Sequence, residues 1–548
     1  MLCRLRLLLL VPLLACGCIA PLGAAETVPS FAQEVQPVMS KAGCNMGACH
    51  GNLNGKGGLK LSLRGEDAAY DYKALVRELS ARRVNVLEPE ASLLLLKPTG
   101  RVAHQGGVRF RHDSPEYQTL RAWIAGGAPG PKKNEPALIS LEVQPTQAVL
   151  FEPDDRVQIR VVARFADGRE RDVTAQACYE TSNLVANVDA NGLVTRRTPG
   201  ESTVLVRFLT HQQAVRVAFV TGSANYRWTG PAPRNYVDEL IFAKLQSLQI
   251  EPSPAAADSV FVRRAYLDAL GIVPTAAEAQ SYVTDARPDK RERLIDELLS
   301  RPEFAEHWAL KWSDLLRNEA KVLDEKGVRL FYDWIRAGIA SNRPLNAFVH
   351  DLVASRGSTF EHPAANYYRA NRDATTRAET TARLFLGARL QCARCHNHPF
   401  DRWTQDDYYS WAALFARVDY KILNEERKDK LDKNEFQGDQ IVLIKNDGEL
   451  KNARTGKNAV PKFLGAETPK FAGQDDRLVP LAAWLTSGQN ELFVLSQVNF
   501  VWSHVLGRGL IEPIDDVRPT NPPSHPELMD ALCRDFVASG FDLRRLVR

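Results

Sequence analysis

Cysteine and histidine side chains in two short segments carry the clearest chemistry in this chain of 548 residues. In the second segment, Cys392, Cys395 and His396 follow one another with the spacing Cys-x-x-Cys-His. This spacing is typical of c-type haem attachment, in which two thiols add to the vinyl groups of haem and the adjacent imidazole ligates the iron. We therefore predict that Cys392 and Cys395 attach a haem and that His396 is its proximal ligand.

The first segment has the same residue types at a wider spacing. Four residues separate Cys44 from Cys49, and His50 follows directly. The longer loop can still span two vinyl groups. The far side of the iron then needs a ligand, and His104 is the better candidate, with His112 behind it. Two imidazoles would give a low-spin, electron-transferring centre at a lower potential than a His/Met pair.

Two other uses of these side chains stay open. A Cys-x-x-Cys pair can close as a disulfide, or it can bind Zn²⁺ tetrahedrally together with His398 and one further ligand. An imidazole directly after the second cysteine has no role in a disulfide, and this favours haem. An open sixth position in the second segment would make that centre a site for substrate or peroxide. The histidines that could instead face its iron are His307, His362, His504 and His525.

The first 25 residues have the pattern of a signal peptide, with a basic start, an apolar run too short to span a bilayer and small residues at 23–25. A lipoprotein-type cleavage box also precedes Cys16, which would then carry a lipid anchor. No later stretch is long and apolar enough to be a membrane helix. We expect a periplasmic, secreted or cell-surface protein, in a compartment where c-type haem is attached and disulfides are allowed.

Charge and composition narrow the class of protein further. The formal net charge is +4, and acidic and basic residues are evenly mixed, so nothing indicates a nucleic-acid surface. Cleavage after residue 25 would leave six of the nine cysteines, which is too few for a dense disulfide framework. Of these six, Cys178 and Cys533 stand alone and are expected to be buried small hydrophobic residues. The length predicts about three or four domains.

Helices are predicted around the first segment, within a domain at residues 28–130. Apolar residues recur with helical periodicity, and a glycine-rich stretch follows His50. This stretch has the wrong spacing for a phosphate loop, and a flexible turn is favoured over a loop that wraps a cofactor edge. The predicted helices cover residues 30–41, 71–79 and 115–124.

Helices are also predicted on both sides of the second segment, within a domain at residues 232–420. A helix over residues 375–390 leads into the segment, and Thr404 with Asp407 forms a capping box that opens a helix over residues 406–415. Earlier in this domain, a helical stripe is expected to pack in the core rather than against a cofactor. Its aromatic members are Phe304, Trp308 and Trp312.

Residues 137–222 change to the period of a β-strand. Apolar and polar residues alternate from Val157 to Phe165 and in two later runs, and Asp167-Gly168 and Asn191-Gly192 are turn signals. Short strands at this spacing predict a small sandwich. The region resembles a bacterial immunoglobulin-like domain of the second group. Such modules serve as spacers or adhesion units, so the resemblance implies contact with a polysaccharide or a protein at the cell surface.

The helical domain resembles the planctomycete cytochrome-like domain proteins, a secreted family of largely unknown function. The resemblance rests on residues 390–409, 261–268 and 271–275. The segment from Cys44 to Gly51 is similar to the cytochrome-like module often found at the front of such proteins. The resemblance implies haem binding by analogy with cytochrome c and leaves the reaction open.

The last part of the chain resembles the start of the companion domain that usually follows in that family. Residues 499–509 and 521–528 carry this resemblance. We expect a polar insertion or linker at residues 421–470 and the companion domain at residues 475–548. Because that domain runs much further in the family, the chain is expected to be a fragment.

These observations predict a multidomain fold: a small all-α cytochrome c-like domain, an all-β immunoglobulin-like sandwich and a mainly α-helical domain. The predicted function is electron transfer or a haem-dependent redox step at the cell surface, carried by one or two covalent haems c. The partner would be a redox protein or a small-molecule electron donor or acceptor, and an enzymatic activity would be that of an oxidoreductase. The alternatives are a non-enzymatic surface protein stabilised by disulfides and a zinc-dependent hydrolase built on Cys392, Cys395 and His398.

Overall fold

The computed structural model describes residues 28–52, 54–79, 82–222, 225–423, 431, 435–471 and 475–548. The predicted signal peptide, the lipid anchor at Cys16 and most of the charged stretch after residue 423 lie outside the described residues. The chain divides into two compact units, one ending at Glu135 and the other running from Pro136 to Arg548. A helical region is followed by a β-sheet region and then by a mostly helical region, as the predicted multidomain order requires.

Short helices around a small apolar core make up the front unit. The first helix begins after Ser30, whose side chain accepts a hydrogen bond from the backbone N–H of Gln33 at 3.0 Å. The first and last helices pack through Phe31 and Trp123, whose ring centroids are 5.4 Å apart. The helical segments are Phe31–Val35, Gln36–Lys41, Ala68–Tyr72, Lys73–Arg77, Leu93–Leu96 and Pro115–Ala125, with 3-10 turns at Leu63–Gly65 and Pro89–Ala91.

The β-sheet region shares one apolar core among three small sheets. The predicted run from Val157 to Phe165 is interrupted at Ile159, because the chain changes its pairing partner there from one sheet to another. Both predicted turn pairs connect antiparallel neighbours. The sheets, in strand order, are Leu138–Gln144, Arg160–Phe165 and Glu170–Asp172; Gln147–Phe151, His211–Val220, Gly200–Phe208 and Cys178–Thr181; and Arg156–Gln158, Leu193–Arg196 and Ala186–Val188.

The remainder of the second unit packs helices around a large apolar core. Phe304, Trp308 and Trp312 are buried in it, as predicted for the aromatic stripe. The helices are Tyr236–Ser247, Asp258–Leu270, Ala276–Thr284, Lys290–Ser300, Pro302–Leu315, Ala320–Ala340, Leu345–Ala354, Asn366–Ala370, Ala374–Leu386, Gln405–Ala413, Leu478–Leu485, Glu491–Leu506, Pro526–Ala538 and Leu543–Val547, with 3-10 turns at Pro363–Ala365 and Gln391–Arg394. A small sheet joins Gly357–Ser358, Gln440–Ile444 and Val418–Ile422. Within the described ranges, no helix is long and apolar enough to cross a membrane.

The end of the helix before Cys392 and the beginning of the helix after it are both set by local backbone and side-chain contacts. The helix before it ends at Leu386, four residues earlier than predicted, because Gly387 adopts a left-handed φ of 62°. The helix after it begins with the predicted capping box, in which Thr404 and Asp407 bond each other's backbone N–H groups. The segment between them contains the 3-10 turn Gln391–Arg394.

The helical region contains a buried ion pair between Asp324 and Arg369, and we expect its stability to depend strongly on this pair. Asp324 accepts hydrogen bonds from Arg369 Nη2 at 3.1 Å and from the backbone N–H groups of Gly327 at 2.8 Å and Gly438 at 2.7 Å. Because Arg369 is fully buried, Asp324→Ala leaves an uncompensated charge and should lower the free energy of unfolding by about 3–5 kcal/mol. The exposed Asp333 of the same helix is the control, and Asp333→Ala should change it by less than about 0.5 kcal/mol in urea unfolding. Equal effects of the two substitutions would contradict the prediction.

Candidate functional site

A cavity of about 520 Å³ in the front unit brings together the predicted residues of the first segment. Its wall contains Cys44, Cys49 and His50 from one loop and His104 from a loop more than fifty residues later in the chain. The volume lies within the range of about 300–1,000 Å³ that is usual for small-molecule and cofactor sites. Most of the remaining wall is apolar, and we call this space the front cavity: Met39, Leu59, Leu61, Leu75, Leu93, Leu94 and Pro98 are among its residues.

The loop that carries both thiols is closed by its own backbone. The N–H of His50 donates to the carbonyl of Cys44 at 3.0 Å, and the N–H of Leu61 donates to the carbonyl of His50 at 2.8 Å. Gly51 follows directly, and a Cβ atom there would lie 2.1 Å from the carbonyl oxygen of Asn45. Only glycine fits this position. Its small size lets the backbone at Gly51 lie close to that of Asn45, and this turn places both thiols and the imidazole on one wall.

The imidazoles of His50 and His104 face each other across the front cavity. Their planes are 12° apart and their centroids are separated by 6.3 Å. His50 Nδ1 lies 3.1 Å from the carbonyl oxygens of both Lys56 and Leu59, and His104 Nδ1 lies 2.9 Å from that of Gly107. A carbonyl oxygen only accepts, so each Nδ1 carries a proton, and in the neutral form of either ring Nε2 is the nitrogen with the lone pair.

This is the arrangement of a metal-binding histidine, which donates its second ring N–H to a carbonyl or carboxylate that fixes the tautomer. Burial lowers the pKa of His50. The hydrogen bonds with the carbonyl groups of Leu59 and Lys56 raise it, but by less, so the net effect is a lowered pKa. The imidazole is therefore neutral at pH 7, as a metal ligand must be. The centroid separation of 6.3 Å brings the two imidazoles close enough to contact one bound group.

The glycine-rich stretch after His50 has a defined role that the sequence did not indicate. Lys56 and Leu59 form an isolated β-bridge, and their carbonyl groups are the two that contact His50 Nδ1. Gly55 adopts a φ of 65°, and a Cβ atom there would lie 2.4 Å from the carbonyl oxygen of Leu59. We call residues 55–59 the glycine loop. Its carbonyl groups at Lys56 and Leu59 contact the imidazole.

Arg83 holds the glycine loop from behind. Its side chain is buried and donates to the carbonyls of Ala74 at 2.6 Å and Glu78 at 3.1 Å, and also to the carbonyl of Gly58. One guanidinium thus joins the end of a helix to the loop that orients His50. No motif marks this residue in the sequence, because its three acceptors are backbone groups of two different segments.

Charge around the front cavity is one-sided. Lys56, Arg82, Lys97 and Arg109 belong to its wall together with the buried Arg83, and no Asp or Glu among the described residues does. Arg109 Nη2 donates to Cys49 Sγ at 3.3 Å. Burial raises the pKa of the Cys44 thiol to about 11, so this thiol stays protonated at neutral pH. The cavity therefore suits an apolar group that carries acidic substituents.

The residues present fit a covalently attached haem. The front cavity offers two thiols for the vinyl groups, two imidazoles in its wall, apolar side chains for the macrocycle and cations for the propionates. Cys44, Cys49, His50 and His104 would hold the group. No rearrangement of the loops is needed to bring these four side chains to one cavity.

The second segment has different surroundings. Both Cys392 and Cys395 are exposed, and His396 Nδ1 lies 2.8 Å from the carbonyl oxygen of Asn397. His398 is held by its own loop, since its Nδ1 accepts from the N–H of Phe400 at 3.2 Å. Burial lowers the pKa of His398 to about 4. The side chains of this segment thus lie on a turn at the surface, whereas those of the first segment line a cavity.

The further histidines considered for the second segment are distributed over the helical region. His504 packs against Phe500 and Trp308, with ring centroids 4.2 Å and 6.2 Å away. Burial lowers the pKa of both His307 and His504 to about 4. In the part of the chain that the structure describes, no three His, Cys, Asp or Glu side chains form a group that could hold a metal ion, and all six cysteines are free thiols.

The helical part of the chain carries domains of a known type. Residues 236–420 match the family model described as PSCyt2, protein of unknown function (DUF1549). Residues 477–548 match the one described as PSD1, protein of unknown function (DUF1553). These matches agree with the predicted planctomycete cytochrome-like domain and with the predicted companion domain. No curated protein matches the chain.

Proposed function

We propose that this protein is an extracytoplasmic c-type haem protein whose front unit transfers electrons. Cys44 and Cys49 attach the haem, His50 is its proximal ligand and His104 its distal ligand. The observation that carries the proposal is the pair of imidazoles 6.3 Å apart, each with its Nδ1 proton held by a backbone carbonyl. The two thiols in the wall of the same cavity support it.

Haem held in this way supplies a one-electron iron couple. The protein residues set its properties. The carbonyl groups of Lys56 and Leu59 polarise the Nδ1–H bond of His50 and so make its Nε2 a stronger donor to the metal. His50 and His104 would both ligate the metal, and a metal held by two protein imidazoles would supply electron transfer and leave no place for a substrate.

The other regions take supporting roles in this proposal. The β-sheet region is an immunoglobulin-like spacer that can contact a polysaccharide or protein at the cell surface. The helical region carries the second attachment sequence, Cys392, Cys395 and His396, and would exchange electrons with a redox protein or a small molecule. The signal-peptide pattern of residues 1–25 supports a location outside the cytoplasm.

A haem count tests the proposal. The full chain is produced in a host that matures cytochromes c, and covalent haem is counted per chain from the pyridine haemochrome spectrum. We expect Cys49→Ala to hold one haem fewer than the wild type, and Cys178→Ala, which changes a cysteine of the β-sheet region, to hold the same number. Cys395→Ala tests the second segment in the same way.

Each outcome of the count separates the proposal from its alternatives. A wild-type protein without covalent haem would overturn the proposal and favour the disulfide-stabilised surface protein. A count that falls with Cys395→Ala but not with Cys49→Ala would place the cofactor in the helical region alone. Zinc bound in a fixed ratio to the chain, without haem, would favour the hydrolase.

A further inference from the structure

A second cavity, of about 580 Å³, lies between the β-sheet region and the helical region of the second unit. On one side its wall contains Asn183, Glu201 and Arg216 from the β-sheet region. On the other side it contains Trp502 and Arg508, which belong to the second matched domain. Its volume is in the range that is usual for small-molecule sites. We call this space the junction cavity.

One lysine ties the two sides of the junction cavity together. Lys244 pairs with Glu201 at 2.9 Å and donates to the carbonyl of Ser524 at 2.7 Å. Ser524 is fixed in turn by its backbone, whose N–H donates to the carbonyl of Leu510 at 2.7 Å. Direct contacts between the two regions therefore define the cavity.

A tight turn at Glu512 gives one wall of the cavity a fixed form. The N–H of Gly509 donates to a carboxylate oxygen of Glu512 at 2.6 Å. A Cβ atom at Gly509 would lie 2.4 Å from the carbonyl oxygen of Ile511, so only glycine fits here. The Asn521 amide donates to the carbonyl of Glu512 at 3.1 Å. The Glu512 carboxylate is therefore held at the cavity while the residue stays exposed.

Two donors of the wall are open to a ligand. Arg508 is exposed, and its guanidinium makes no ion pair or hydrogen bond with a described residue. Trp502 is half-buried, and its indole N–H has no hydrogen-bond partner among the described residues. Unlike the buried unpaired groups of the chain, this N–H is reached by solvent. The wall thus offers a free cation, a free N–H and part of an aromatic side chain.

The junction cavity has a small excess of positive charge. Its charged side chains, apart from histidine, are Glu201, Arg216, Lys244, Arg508 and Glu512. Lys244 and Glu201 neutralise each other, and Arg216 donates to a side-chain amide oxygen at 2.7 Å. Two cations and one carboxylate are left over, so the wall provides donors, an acceptor and a preference for an anionic ligand.

We propose that the junction cavity binds an acidic saccharide, with the indole of Trp502 against a sugar ring and Arg508 on the carboxylate of that sugar. A guanidinium pairs with a carboxylate through parallel N–H donors. Tryptophan combines an apolar ring with one N–H donor, which matches the C–H face and the hydroxyls of a sugar. Sugar hydroxyls also donate, and the Glu512 carboxylate is an acceptor for them.

This inference rests on the surface role proposed above for the β-sheet region and names the class of polysaccharide. It uses no residue of the front cavity. A saccharide bound here would contact the β-sheet region and the second matched domain together, and it would therefore stabilise the junction between them.

Titrations of the full chain with defined sugars and acids test the site. Trimers of galacturonate and of mannuronate are the probes, maltotriose is the neutral sugar, and tricarballylate is an acid without a sugar ring. Binding is measured by calorimetry at constant ionic strength. We expect at least one trimer to bind saturably. Maltotriose and tricarballylate should bind about tenfold more weakly or less, because each lacks one of the two recognised features.

Variants locate the binding. Arg508→Gln changes an exposed side chain and should weaken binding of the trimer by about tenfold, the value of one charge-assisted hydrogen bond. Trp502→Phe keeps an aromatic ring but removes the N–H, and it should weaken binding by about two- to tenfold. Arg534→Gln replaces an exposed arginine of the same matched domain outside the cavity wall and should bind like the wild type.

Three results would overturn the proposal: neither trimer binds saturably, maltotriose or tricarballylate binds as tightly as the trimers, or Arg508→Gln binds like Arg534→Gln. Covalent haem is counted in the same preparations. A chain that binds a trimer but holds no haem would overturn the electron-transfer proposal alone. A chain that holds haem but binds neither trimer would overturn the saccharide site alone.

Discussion

The His104→Ala variant is expected to keep its covalent haem and to lose the low-spin spectrum of the front unit. His104 is held by its Nδ1 contact with the carbonyl of Gly107 at 2.9 Å, and its ring faces that of His50 at 6.3 Å. The thiols and His50 are unchanged in the variant, so attachment should persist. Without the second imidazole, a haem in the front unit would lack one protein ligand, and we expect the variant to bind one more equivalent of added imidazole or carbon monoxide per chain than the wild type.

The spectrum of the His112→Ala variant provides the matched control. His112 is the other histidine that the sequence offers as a distal ligand, but its ring packs on Tyr117 with centroids 4.3 Å apart. Its replacement should leave the absorption spectrum and ligand binding unchanged. A low-spin spectrum that survives His104→Ala and disappears in His112→Ala would show that the assignment of the distal ligand is wrong.

The second large effect is expected from Arg83→Met, which removes a charge from behind the glycine loop while keeping a side chain of similar length. Three carbonyl groups lose their donor: those of Ala74, Glu78 and Gly58. Of these three residues only Ala74 is buried, so at about 1–3 kcal/mol for an unsatisfied buried group the front unit should lose about 1–3 kcal/mol of stability. Amide hydrogen exchange of the front-unit peptides measures this loss in protein produced without haem maturation.

Arg82→Met is the matched control for that measurement. Arg82 precedes Arg83 directly and is exposed, and its side chain makes no hydrogen bond with a described residue. Its backbone N–H donates to the carbonyl of Leu79 at 3.0 Å, a contact that the substitution keeps. The replacement should therefore change the exchange by less than about 0.5 kcal/mol. In matured protein, Arg83→Met should also reduce the fraction of chains that carry haem, because the loop that orients His50 is loosened. Equal protection in the two variants would contradict the role given to Arg83.

Features that depend on neighbouring residues could be predicted from the sequence. The capping box of Thr404 and Asp407, the turn at Asn191-Gly192 and the clustering of Cys44, Cys49 and His50 all follow from local spacing. From the sequence, His104 is also the better candidate for the ligand opposite His50, with His112 behind it. The structure places the two rings at the same cavity.

Features that depend on tertiary contacts could not be predicted. Arg83 acts on backbone carbonyls, which every residue has, so no pattern of side chains marks it. The shared use of Glu449 by Arg417 and Arg477 joins three segments whose distances only the folded chain defines. The break at Ile159 arises because the residues before it pair with one sheet and those after it with another. The alternation of apolar and polar residues does not show this change of partner.

Mapping the haem-bearing peptides of the wild-type protein tests the central claim most directly. Trypsin would release residues 42–56 as one peptide that contains Cys44, Cys49 and His50. We predict that this peptide carries a covalent haem in mass spectrometry of protein matured in a cytochrome c host. Haem on the second segment would instead link residues 390–394 to residues 395–402, because Arg394 separates its two cysteines. An unmodified peptide 42–56, in protein from a host that attaches haem to a control cytochrome, would contradict the account.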